Sequence, residues 1–281
     1  MREQIHPAAT TKDITLIVAD LAAMVQFYQT IIGLKLRQQN GLEASLGTAE
    51  EDIVILREQP QAHQPGRATG LYHLAILLPS RPALADWLAY VAQQRYPLQG
   101  ASDHLVSEAI YLADPEGNGL EIYRDRPREQ WPTHGSEVRM ATDPLDFQAL
   151  LAERSTPGWS GVPAGTRLGH VHLRVHDLNQ AYHFYVELLG FDLMQRYPGA
   201  LFVSAGGYHH HLGLNTWETA GAPPPPSNTL GLHHYTIALP DEAEQTRLVE
   251  RLRAANHKLE NTPAGPLVRD PAGNGLVLTV A

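Results

Sequence analysis

The chain has 281 residues, which suits two domains or several small modules better than one ordinary core. Net charge is -9 and no basic stripe is present, which argues against a nucleic-acid partner. There are no cysteines, so disulfides and thiolate metal sites are excluded, whereas fifteen histidines make imidazole ligands the feature to follow.

Residues 12–18, KDITLIV, alternate like a strand, and Asp20 then caps a helix that runs to Gly33 with Leu21, Met24, Val25, Tyr28 and Ile32 at helical spacing. Strands are predicted at 42–47, 52–57 and 71–78, followed by a helix from Pro82 to Gln94. The stretch from Tyr111 to Glu121, YLADPEGNGLE, reads as strand, tight turn, strand, because proline presets one φ and Gly and Asn tolerate positive φ. Glu121 stands between Leu120 and Ile122, on the face opposite both. Taken alone, a solvent-facing carboxylate is the simpler reading of it. Residues 126–166 are rich in Pro, Gly, Arg and acid and read as a surface linker with one short helix at 145–153. LGHVHLRVHDL then opens a strand, Asp177 caps a helix to Gly190, and strands follow near 200–205 and 209–216. Pro223 to Pro226 form a stiff spacer. The last stretch holds a strand in LHHYTIALPD, a helix near 241–255 and a hairpin at 267–280. The apolar runs are too short to span a bilayer, and the N-terminal segment lacks the apolar core of an export signal, so a cytoplasmic protein without a membrane partner is expected.

The chain repeats itself. An offset of 157 residues carries Asp20, Phe27, Tyr28 and Gly33 onto Asp177, Phe184, Tyr185 and Gly190, and places His170 where Asp13 stands. An offset of 161 carries Leu71, His73 and Pro79 onto Leu232, His234 and Pro240, and DPEGNGL at 114–120 recurs as DPAGNGL at 270–276. The chain is therefore four βαβββ modules, at 8–62, 67–125, 167–220 and 228–281. The expected fold is α+β, with modules paired into two incomplete barrel-like sheets, because one such module cannot bury its sheet face alone.

Four βαβββ modules, helices carrying FY and then G, and DPxGN hairpins resemble the vicinal oxygen chelate superfamily, and within it the extradiol dioxygenases of the catechol 2,3-dioxygenase type. The resemblance covers nearly the whole chain outside 126–166. It implies a facial triad of two His and one Glu, a further His that handles protons, and a Tyr ten residues before the Glu that contacts the substrate. The first ligand matches His170 and the proton-handling residue matches His210 in GGYHHHLGLN. In the fourth module His234 is present, but the Glu falls at Val277 and the Tyr at Leu267, neither of which can play its part. The second module carries all three: His73, Tyr111 and Glu121. The resemblance thus implies metal ligands His73, Glu121 and His170 from the two central modules, with His210 and Tyr111 catalytic and His211, His104 and His172 as further candidates. No organic cofactor is implied.

The ion implied is Fe(II), with Mn(II) or another divalent metal as alternatives. The substrates implied are a small catechol-type aromatic and dioxygen, the product is a ring-opened semialdehyde, and a homo-oligomer is expected. A glyoxalase-like metal lyase or isomerase, favoured were His211 a ligand, and a metal-free binder of a small aromatic or antibiotic are the rival readings. Alternation along a strand predicts that His209, His210 and His211 cannot all enter one site. His233 and His234 are expected to hold no metal, and the FY pairs are expected to be helix core.

Overall fold

A computed structural model describes residues 3–135, 137–156 and 158–281. Each module has the same plan. The first contains β1 (Thr10–Val18), α1 (Leu21–Phe27), β2 (Lys35–Asn40), β3 (Glu43–Gly47) and β4 (Asp52–Glu58). The second contains β5 (Gly70–Leu77), α2 (Arg81–Gln93), β6 (Gly100–Asp103), β7 (Ser107–Ala113) and β8 (Gly119–Asp125). A small hairpin, β9 (Thr133–His134) and β10 (Glu137–Val138), and α3 (Phe147–Leu151) follow. The third module contains β11 (Arg167–Arg174), α4 (Leu178–Ala181), β12 (Asp192–Tyr197), β13 (Ala200–Ser204) and β14 (Leu212–Asn215). The fourth contains β15 (Gly231–Leu239), α5 (Glu242–Ala254), β16 (Leu259–Thr262), β17 (Gly265–Arg269) and β18 (Gly275–Val280).

The strands form two eight-stranded sheets, in the orders β16-β17-β18-β15-β1-β4-β3-β2 and β12-β13-β14-β11-β5-β8-β7-β6. Strands of the two central modules thus share one sheet. The edge strands β2, β6, β12 and β16 are implied by the expected βαβββ order, which gave them no residue ranges. Each ends a sheet, and their sequences (KLRQQN, GASD, DLMQRY, LENT) lack the apolar alternation of a half-buried strand, as suits an edge.

Helices α1 and α4 begin as expected, with Asp20 accepting from Ala23 N–H and Asp177 from Asn179 and Gln180 N–H. Both then widen into π-helical turns, Tyr28–Ile32 and Tyr182–Leu188. Gly33, at φ +91°, closes the first of these.

By Cα proximity the chain divides into two compact units, residues 17–62 with 73–169, and residues 1–16 and 63–72 with 170–281. In the first unit Tyr28 is fully buried and its hydroxyl donates to Asp114 (3.2 Å). In the second, Tyr185 donates to Asp270 (2.8 Å), and Tyr235 donates to the Tyr185 oxygen (3.2 Å). The FY pairs are indeed core, but each tyrosine also ties its helix to the aspartate of a DPxGN turn.

Asp114 accepts from the backbone of Glu116 and Asn118 (3.0 and 2.9 Å) and from the Asn118 amide (2.8 Å). Burial outweighs these donors and pushes its carboxyl up to about 6. A folded-state value above the unfolded one favours the protonated native form, so that stability is present at low pH and lost as pH rises through about 6. Relative to Asp114→Asn, the native chain is expected to lose about 2 kcal/mol of unfolding free energy between about pH 4 and pH 7. Urea titrations of both proteins at each pH measure the difference.

The segment read as a surface linker is anchored on the first unit by a few buried side chains. Trp131, Val138, Leu145 and Leu150 are buried, Ser155 and Thr156 bond to Asp86, and Trp159 lies against Gly33. Its apolar residues are too sparse and irregular for periodicity to reveal.

Candidate metal centre

His73 lies on β5 and Glu121 on β8. These strands run parallel, with His73 opposite Gly119 and Ala75 opposite Glu121, so His73 and Glu121 are diagonal neighbours on one face. The His73 Nε2 to Glu121 Oε2 distance is 3.0 Å. Glu121 is 3% exposed, so the solvent-facing reading does not hold. Tyr111 on β7 stands directly across from Glu121, which is what the ten-residue spacing encodes in a hairpin of this turn length. Beyond them the same face is apolar, formed by Ala75, Leu77, Ala109 and Tyr123 with Tyr111 packed against it.

Candidate ligand atoms of His73, Glu121 and His170, all three residues buried, lie within 4.8 Å of one another. Two bonds of about 2.1 Å at right angles put their donor atoms about 3.0 Å apart, so the spacing of His73 and Glu121 fits adjacent positions of an octahedral ion. Two imidazoles and a carboxylate suit a transition metal of intermediate hardness and leave coordination positions open. The residues present therefore fit the implied metal.

His210 is the nearest of its run to His170, with ring centroids 4.1 Å apart, against 6.2 Å for His209. The alternation expected for this run does not apply: β14 begins only at Leu212, and His209–His211 lie in the loop before it. Three tight-turn residues, Ala205 to Gly207, shorten the strand. His209 and His210 instead meet through their Nδ1 atoms (2.8 Å), and all three histidines are buried. His211 accepts Ala205 N–H at Nδ1 (3.2 Å) and is outside the three-residue group. His172, two residues beyond His170, faces Tyr72, Phe202 and Trp217.

His104 bonds the Tyr111 hydroxyl through Nε2 (2.5 Å) and the Ala141 carbonyl through Nδ1 (2.6 Å). A carbonyl only accepts, so Nδ1 carries the proton. In the neutral ring Nε2 then accepts the Tyr111 hydroxyl proton. Ala141 belongs to the segment read as a linker, so that segment orients a site residue. No pattern in the sequence signals this.

Gly169 also escaped the sequence reading. A Cβ there would lie 1.8 Å from the Tyr123 hydroxyl and 2.9 Å from Leu77 Cβ. Gly169→Ala is expected to cost about 1–3 kcal/mol by overpacking. Urea denaturation measures the cost, and adding Tyr123→Phe should recover part of it.

The equivalent positions in the other sheet carry different chemistry. Leu267 stands across from Val277, as Tyr111 does from Glu121. His234 contacts Thr15 (3.3 Å) and His233 (2.6 Å), and Asp13 accepts from Thr236 (2.7 Å).

Repeated βαβββ modules form two eight-stranded sheets, one of which carries a buried imidazole–carboxylate group able to hold a metal ion. The chain belongs to the Glyoxalase/Bleomycin resistance protein/Dioxygenase superfamily, whose profile matches residues 10–122 and 167–278. It is 42% identical over 272 residues to the catechol-2,3-dioxygenase of Bacillus subtilis, covering 94% of this chain and 95% of that one. It is 30% identical over 147 residues to biphenyl-2,3-diol 1,2-dioxygenase 3 of Rhodococcus globerulus, covering 49% and 77%. Among solved structures it is similar to a putative dioxygenase from Bacillus subtilis (TM-score 0.66, 14% identity, 99% of this chain and 86% of that one). It is also similar to glyoxalase I from Zea mays (TM-score 0.61, 16% identity, 96% and 92%). At these identities the two structures speak to the fold alone. No helix among the described residues is long and apolar enough to cross a membrane.

Proposed function

We propose that the protein is a metal-dependent extradiol dioxygenase: it adds both atoms of dioxygen to a catechol-type aromatic and yields a ring-opened semialdehyde. One observation carries the reading. A chain similar along nearly its whole length to a catechol-2,3-dioxygenase brings two imidazoles and one carboxylate within 4.8 Å on buried strands. His73, Glu121 and His170 would hold the ion, and Fe(II) is the ion we propose, with Mn(II) as the alternative. When bound, the metal supplies a common anchor for the two catechol oxygens and dioxygen and a path for electron density between them.

The remaining steps belong to the chain. His210, its ring against His170, holds and returns the proton that moves as the ring opens. Tyr111, its own proton committed to His104, accepts from a substrate hydroxyl and orients the ring. The apolar floor of Ala75, Leu77, Ala109 and Tyr123 keeps water from the reacting carbons. The glyoxalase-like alternative wants His211 as a ligand, and its ring is engaged with the Ala205 turn.

Anaerobic loading with Fe(II), followed by catechol and air, should give the yellow ring-opened product. Tight retention of Fe(II) with no uptake of dioxygen on any catechol would overturn the reading in favour of a lyase or isomerase.

A further inference from the structure

Alternation along β11 places His172 and Arg174 on the same face as His170. Ring contacts lead outward from the candidate ligand. His170 meets His210 (4.1 Å between centroids), His210 meets Phe202 (5.0 Å), and Phe202 meets His172 (5.8 Å). His172 then meets Tyr72 (5.0 Å) and Trp217 (5.5 Å). Gly213 makes this row continuous: it pairs with both His172 and Phe202, and a Cβ on it would strike the His172 ring at 2.8 Å. The far end reaches the surface, where Trp217 is 45% exposed and its indole N–H is held by the Pro198 carbonyl (2.9 Å).

At that end Arg174 stands directly opposite Asn215. Asn215 is 1% exposed. Its Oδ1 accepts from Trp217 N–H (3.3 Å), which sets the amide's orientation and leaves Nδ2 buried with no partner among the described residues. The Arg174 guanidinium lies over Tyr72 (5.4 Å) and donates from Nη1 to the Leu71 carbonyl (3.1 Å), while its Nε is buried and likewise unmatched. Its carboxylate neighbour among the described residues, Glu218 at 3.4 Å, is 70% exposed, so water screens that attraction. Two buried donors on one cross-strand pair, one of them charged, call for a group that only accepts. A carboxylate is such a group, and its bond to the guanidinium is charge-assisted.

We propose that Asn215 and Arg174 form a distal subsite for a carboxylate on the substrate, with Tyr72, His172 and Trp217 flanking the arm that carries it. This rests on the dioxygenase reading and names the substrate class: a catechol with an alkyl or aryl arm ending in a carboxylate. The arm is needed because Arg174 is four residues along the strand from His170, about 13 Å, well beyond the reach of a bare catechol ring.

Calorimetric titration of the metal-loaded protein without dioxygen tests it, using dihydrocaffeate and propylcatechol, which differ in the carboxylate. The native protein is expected to bind dihydrocaffeate about tenfold tighter or more, and the ratio should fall toward one in both Asn215→Leu and Arg174→Met. Equal binding by the native protein, or a ratio that survives both substitutions, would overturn the subsite. The native comparison needs no variant to fold. A retained binding ratio without ring opening of either compound would leave the subsite standing and defeat the dioxygenase reading.

Discussion

Glu121→Ala is expected to strip the protein of iron and to lower kcat/KM for catechol by more than about a thousandfold, since it removes the one carboxylate of the three-residue group. His73→Ala should behave alike, because its Nε2 lies 3.0 Å from the Glu121 oxygen and the two would bind as a pair. His234→Ala should retain iron: its ring is turned to Thr15 and His233, and its module has Val277 where a carboxylate is required. Metal analysis after anaerobic loading reads all three. Loss of iron in His234→Ala, or its retention in Glu121→Ala, would place the centre elsewhere.

His210→Ala should separate metal binding from catalysis. The residue lies beside His170 but outside the three-residue group, so iron should stay bound while ring opening slows by about 10²–10⁴. Single-turnover absorbance with iron-loaded protein measures the rate, and the metal content of the same sample supplies the control. If His209→Ala gives the larger loss and His210→Ala none, the proton is carried by the neighbour, whose Nδ1 is 2.8 Å from that of His210.

The contrast between Glu121 and His104 explains what could be read early. The position of Glu121 on its strand was legible from a two-residue alternation and a repeated hairpin, while its role as a ligand came from the family resemblance; the registers Tyr111–Glu121 and Leu267–Val277 follow from the same turn length. His104 was legible only as a candidate, since its partner Ala141 is thirty-seven residues away in a segment with no periodic pattern. Asp114 shows both sides in one residue. Its turn was plain from DPEGNG, whereas the hydroxyl of Tyr28 that reaches it, and the burial that raises its carboxyl to about 6, come from packing.

By itself the amino-acid order determined the repeat, the helix starts at Asp20 and Asp177, the DPxGN turns and the residue types able to bind a metal, because each depends on neighbours a few bonds apart. Tertiary structure alone decided the bounds of the edge strands, the loop that carries His209 to His211, the packing of 126–166 and the unmatched donors of Asn215 and Arg174. These depend on which strands meet and which polar groups are closed off from water, and that is settled by contacts between residues far apart in the chain.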